Sequence, residues 1–109
     1  MKLSELVEAG GLHGLNQWQD VEITGVYISD MVSDIMSGAK PGNVLLTLQT
    51  HKSVVAAANL VDVPAIVFMR GRRPDADLVE VATKAGIGVF CTDVDSWALA
   101  SKLFAVGVA

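Results

Sequence analysis

The chain has 109 residues, of which 51% are hydrophobic and 18% charged, and carries a formal net charge of −4 at pH 7. One domain fits this length and two fit poorly. So apolar a composition excludes disorder, and the acidic balance excludes general nucleic-acid binding, which needs a surplus of Lys and Arg on one face.

Taken in chain order, the residues predict an amino-terminal helix over Leu3 to Ala9, followed by a glycine-rich loop from Gly10 to Gln19. Val21 to Ile28 has the β-branched composition of a strand. A short helix over Asp30 to Ser37 follows, with Ser29 or Asp30 as N-cap and Gly38 closing it. Pro41-Gly42 reads as a turn, Val44 to Leu48 as the second strand, and Lys52 to Val61 as the next helix, capped by Ser53. Pro64 opens a third strand, Ala65 to Met69, apolar on both faces. Pro74 suits the first turn of a helix whose inner stripe is Leu78, Val79, Ala82 and Ala85, with Gly86 ending it. Ile87 to Cys91 is the fourth strand, and the last helix runs from Asp93 or Val94 to Phe104, capped by Thr92, Asp93 or Asp95.

Strand followed by helix, four times over and joined by short loops, makes a single three-layer α/β/α domain with a mostly parallel sheet of about four strands. Residues 1–19 form an amino-terminal helix and loop, and 20–109 the compact α/β unit. The apolar surplus is expected partly in these strands and partly on a surface shared with a second copy. Trp97 shares helical spacing with Leu99, Ala100, Leu103 and Phe104, which places it in the core. The tail Phe104 to Ala109 is apolar to its end and reads as a partner contact, with the segment around Trp18 as a second one.

No apolar run reaches the roughly 18 residues a bilayer span requires. Met1 to Glu8 carries acids where a signal peptide is apolar, so a cytoplasmic protein is expected. Cys91, the one cysteine, sits beside Val89 and Phe90 and reads as a buried core thiol.

In a parallel sheet, ligands bind where strand carboxyl ends meet helix amino termini. The second such loop offers Thr50, His51, Lys52 and Ser53; the third offers Arg70, Arg72 and Arg73; the fourth offers Thr92 and Asp93. If the second and third loops are neighbours, five cationic or titratable groups converge at one rim of an acidic protein. Arginine forks favour phosphate or carboxylate, so these nine residues are the candidate ligand-binding set for a nucleotide or phosphometabolite. The alternative reading leaves Arg72 and Arg73 solvated beside Asp75 and Asp77. His51 beside Ser53 lacks the orienting acid and oxyanion hole a nucleophile needs. Asp93 and Asp95 lack a further acidic cluster or a paired histidine for a metal. Phosphate-loop, dinucleotide and nucleophile-elbow motifs are missing as well. Neither a catalytic set nor a cofactor is expected.

Four segments carry a resemblance to a known family: Lys40-Pro41-Gly42-Asn43-Val44-Leu45-Leu46-Thr47 with the helix from Lys52 to Leu60, Pro64 to Gly71, Ala85 to Asp93, and Asp95-Ser96-Trp97. Their order resembles the DRTGG domain, a module of phosphate acetyltransferases and CBS-containing pyrophosphatases related to the amino-terminal domain of HPr kinase/phosphorylase. The naming motif falls near Gln49 to Ser53, where this chain reads Gln-Thr-His-Lys-Ser, keeping a cation and a hydroxyl but no acid. The resemblance implies a regulatory or ligand-responsive, often dimeric domain rather than a catalyst. Two other expectations compete with it: a structural adaptor docking on a partner enzyme through the tail and the Trp18 segment, and a small phosphotransfer enzyme using His51 or Asp93.

Overall fold

The computed structural model describes residues 1–108; Ala109, the end of the apolar tail, lies outside the described residues. Its elements are α1 (Leu3–Gly10), β1 (His13–Gly14), β2 (Gly25–Ile28), α2 (Val32–Gly38), β3 (Asn43–Thr47), α3 (Ser53–Leu60), β4 (Ala65–Phe68), α4 (Ala76–Lys84), β5 (Gly88–Cys91) and α5 (Ser96–Ala105). The strands form one sheet in the order β1-β5-β4-β3-β2. β2 through β5 are parallel, in the register Val26↔Val44, Leu45↔Ile66 and Ile66↔Val89. The parallel part is therefore the four expected strands, each followed by its helix.

Three successive crossovers step in the same direction across the sheet, so the handedness rule sends α2, α3 and α4 to one face. Leu45, Ile66, Phe68 and Val89 meet them there. The alternating residues Val44, Leu46, Val67 and Phe90 turn to the other face, against Leu3 and Leu6 of α1 and Leu99 and Leu103 of α5. Every residue of β4 and β5 is buried, as strands covered on both sides must be. Cys91 is buried, as expected.

Several local expectations are corrected. The segment Gly10 to Gln19 is not only a loop: His13 and Gly14 pair antiparallel with Cys91 and Phe90, adding a fifth strand. Val21 to Ile28 pairs with β3 only from Gly25 on; its first part pairs with the amino terminus, Leu3 N–H donating to Val21 O (2.8 Å) and Ile23 N–H to Met1 O (2.9 Å). Asp30 does not cap α2, which begins after Met31. Its Oδ1 accepts instead from the Thr47 hydroxyl (3.0 Å) and Leu48 N–H (2.6 Å), while Ser29 Oγ accepts from Met31 N–H (3.2 Å). Thr47 is the one buried polar side chain among the described residues, and its hydroxyl also accepts from Gln49 N–H (3.0 Å). Pro74 precedes α4 rather than entering it, because Asp75 takes the cap by accepting from Leu78 N–H (2.8 Å). Ala85 is the exposed C-cap of that helix rather than part of its stripe. Asp95 caps α5, accepting from Ala98 N–H (2.9 Å).

Trp97 is not in the core: it is 81% exposed. Sharing a spacing with Leu99 and Leu103 is not sharing their direction, since at 3.6 residues per turn Trp97 points about 160° away from Leu99. Trp18, by contrast, is half-buried and packs edge-to-face on Phe90 with ring centroids 5.3 Å apart. Its ring packs on the fold's own core, and its remaining surface lines a shallow hollow with Gln17 and Gln19.

The start of α1 is tethered by Asp20, whose Oδ1 accepts from Ser4 N–H (2.8 Å) and Oδ2 from Ser4 Oγ (2.7 Å). The backbone bond first and the hydroxyl bond second hold the Asp20 carboxyl below its ordinary value. A depressed carboxylate contributes stability above the usual Asp range and loses it as pH falls through its folded value. Asp20→Asn is therefore expected to lower the midpoint of urea unfolding at pH 7 and to flatten the acid side of the stability–pH curve.

Candidate functional site

The carboxyl ends of β2 to β5 and the amino ends of α2 to α5 share one rim, and because β3 and β4 are neighbours the second and third loops lie side by side. The candidate residues nonetheless divide into two groups.

The first group stands at the start of α3. His51 Nδ1 accepts from Ser53 N–H (3.1 Å) and lies 3.0 Å from Ser53 Oγ. The histidine therefore caps α3 through its ring, and the expected Ser53 cap is not formed. The His51–Ser53 pair looks like a base and a nucleophile, but the ring is held by Ser53 itself and no carboxylate hydrogen-bonds His51 among the described residues. Lys52 extends to α4, where Nζ meets Asp77 Oδ2 at 2.8 Å. The bond to Asp77 raises the Lys52 ammonium above its ordinary value and lowers the Asp77 carboxyl. Thr50 is half-buried in the same loop.

The second group is built by the loops after β4 and β5. Met69 to Arg72 makes a tight turn, with Arg72 N–H donating to Met69 O (3.1 Å) and both central residues left-handed, Arg70 at φ 56° and Gly71 at φ 70°. That is the type I′ geometry. Its two central N–H groups are already engaged: Arg70 N–H donates to Val94 O and Gly71 N–H to Thr92 O, each at 2.9 Å. The β4–α4 loop is thus stapled to the β5–α5 loop and offers its side chains, not its backbone, to solvent. Asp93 Oδ1 lies over Gly71, 3.6 Å from where a Cβ would stand.

Beside this staple is a hollow of about 290 Å³ lined by Gly10, Gly11, His13, Arg73, Cys91, Thr92, Asp93, Val94 and Lys102. Three of the nine candidates, Arg73, Thr92 and Asp93, come together here. His51, Lys52 and Ser53 do not reach it, and Arg70 and Arg72 are exposed on the neighbouring turn. Arg72 and Arg73 are both exposed, as the alternative reading of solvated arginines expects. Asp75 caps α4, Asp77 pairs with Lys52, and among the described residues no arginine has a carboxylate within 4.0 Å.

Sequence reasoning missed two basic side chains of the hollow, His13 and Lys102. His13 arrives because β1 pairs with β5 opposite Cys91, and a two-residue strand leaves no periodicity to read. Lys102 was legible only as a lone cation on the last helix. Among the described residues, no group of three or more His, Cys, Asp or Glu could hold a metal ion, and no helix is long and apolar enough to cross a membrane.

Neither a protein-family model nor a curated protein matches the chain. Among solved structures, it is similar to the crystal structure of the CBS and DRTGG domains of the regulatory region of Clostridium perfringens pyrophosphatase, complexed with the activator diadenosine tetraphosphate. The TM-score is 0.72 at 15% sequence identity. The fold is DRTGG-like. The likeness covers 93% of this chain and 45% of that one, so the chain spans less than half the length of the structure it matches. Within this DRTGG-like fold, Gln49 to Ser53 is the β3–α3 loop, and its cation is turned to Asp77 rather than to the hollow.

The left-handed Arg70 carries a backbone cost of about 1–2 kcal/mol that glycine does not have. Arg70→Gly is expected to hold or raise the melting temperature despite glycine's greater unfolded freedom. Arg70→Val should lower it, because a β-branched side chain fits that conformation worst. Thermal unfolding followed by circular dichroism reads both.

Proposed function

We propose that this chain is a non-catalytic, cytoplasmic regulatory module that senses a nucleotide or phosphometabolite at its βα-loop rim and acts as a homodimer. One observation carries the ligand half. His13, Arg73 and Lys102, from three separate segments, line one hollow, and neither Arg73 nor Lys102 has a carboxylate partner among the described residues. In a protein of net charge −4, two cations, Arg73 and Lys102, against the single carboxylate of Asp93 favour an anion there.

The hollow also includes Asp93, so the reading is of a ligand with both acceptor and donor groups, as a nucleotide or sugar phosphate has. The absence of an orienting acid at His51 argues against the phosphotransfer alternative at that residue, the other residue named for it being Asp93. The similar regulatory region binds diadenosine tetraphosphate, which makes that compound one of the first to try.

Thermal shift against inorganic phosphate, ATP, AMP and diadenosine tetraphosphate tests the reading. A ligand at 100 times its Kd adds about 2.7 kcal/mol of stability, a rise of roughly 10 °C or more for a domain of this size. Arg73→Ala combined with Lys102→Ala should abolish the rise, and His51→Ala should leave it intact. A full rise in the double variant would remove the hollow from the account.

A further inference from the structure

We propose that the face formed by α5 and the free edge strand β2 is where a second copy of this chain seats, with the two α5 helices antiparallel across a two-fold axis. This rests on the self-association half of the reading above and names its surface. Five strands carry three helices on one face, α2 to α4, and only α1 and α5 on the other. The β2 end of that second face is left uncovered, as a groove of about 380 Å³ lined by Val26, Ile28, Ala100, Leu103, Phe104 and Val108.

The outward side of α5 continues the groove. Trp97, Ala100 and Phe104 recur at three and four residues, so they share one stripe. Trp97 is 81% and Phe104 75% exposed, and Ile28 is 48% exposed. No residue of the groove or stripe is ionisable, and α5 as a whole carries one charge, Lys102, which points to the opposite side, into the hollow. The edge itself is also unprotected. β1 covers β5, but β2 has no neighbour beyond β3, and Gly25-Val26-Tyr27-Ile28 has none of the charges or prolines that blunt an edge.

Three features select a second copy over a different protein. Two chains of charge −4 repel except through a face without charge, and this one has none. An isologous interface must complement itself. Trp97 and Phe104 lie about 10 Å apart along the helix, with Ala100 and Ser101 between them, so antiparallel helices set each Trp97 against the partner's Phe104 around a small-residue centre. Finally, the two aromatic side chains at these exposures present about 300–400 Å². With Ile28 and Val108 they approach the apolar core of a stable interface of roughly 800 Å² per partner.

Sedimentation velocity on the whole chain between 1 and 100 μM tests this. The wild type is expected at about twice the 11.5 kDa chain mass. Trp97→Glu and Phe104→Glu should each raise the dimer Kd tenfold or more, and together give a monomer with an unchanged circular-dichroism spectrum. Should the charged pair unfold, Trp97→Gln with Phe104→Gln serves as the milder version. Leu60→Glu, at a side chain 66% exposed on α3, should leave the dimer intact. A dimer that persists in a folded double variant overturns this surface while self-association stands. A wild type monomeric at 100 μM overturns both and leaves the groove to a different protein. Neither result bears on the ligand-induced thermal shift, which reads the other half separately.

Discussion

β3, β4 and β5 are covered on both faces, and the positions of the candidate site and the open groove follow from that. β2 to β5 run parallel, each returning through a helix, and parallel strands end together on one rim. The loops after β4 and β5 are then neighbours. Stapled through Arg70, Gly71, Thr92 and Val94, they hold Arg73 and Asp93 at a fixed place beside β1. The same sheet, covered by three helices on one face and two on the other, leaves the β2 end bare. A rim of charge and an apolar face are two consequences of one topology, and they lie on opposite sides of α5: Lys102 faces the hollow, while Ala100 and Phe104 face the groove.

The turn after β4 shows how a cation-rich loop differs from a phosphate loop. In a phosphate-cradling loop the backbone N–H groups point at the ligand. Here the left-handed pair Arg70-Gly71 directs its N–H groups inward to carbonyls of the next loop. Recognition at this rim falls to side chains and is therefore adjustable. The strain at Arg70 has a counterpart in the two bonds that hold it, and the side chain it lifts outward adds to the positive charge of the rim.

Much of this architecture was legible in the residues. Long apolar strands such as Ala65 to Phe68, and breaks such as Pro64 and Gly86, mark the alternation of strand and helix, and the parallel sheet follows. The DRTGG resemblance drawn from segment order agrees with the fold found in the similar regulatory structure. What was not legible depends on contacts between distant residues. His13 joins the hollow through a two-residue strand that composition cannot reveal. Asp30 forgoes the helix cap for the buried hydroxyl of Thr47, a choice set by the β2–β3 pairing. Lys52 looked like a rim cation but found Asp77 across 25 residues of chain. Trp97 was misplaced because spacing was read without direction, and its exposure moves the apolar surplus from the core to a surface.

On the reading proposed above, the free cations beside the stapled loops form an anion site. A heteronuclear NMR titration of the whole chain with inorganic phosphate and then with ATP tests it most directly. Saturable amide shifts are predicted at Gly10 to Gly14, Arg70 to Arg73, Thr92 to Val94 and Lys102, with His51 to Ser53 little changed. Shifts confined to the start of α3, or none at millimolar ligand, would contradict it.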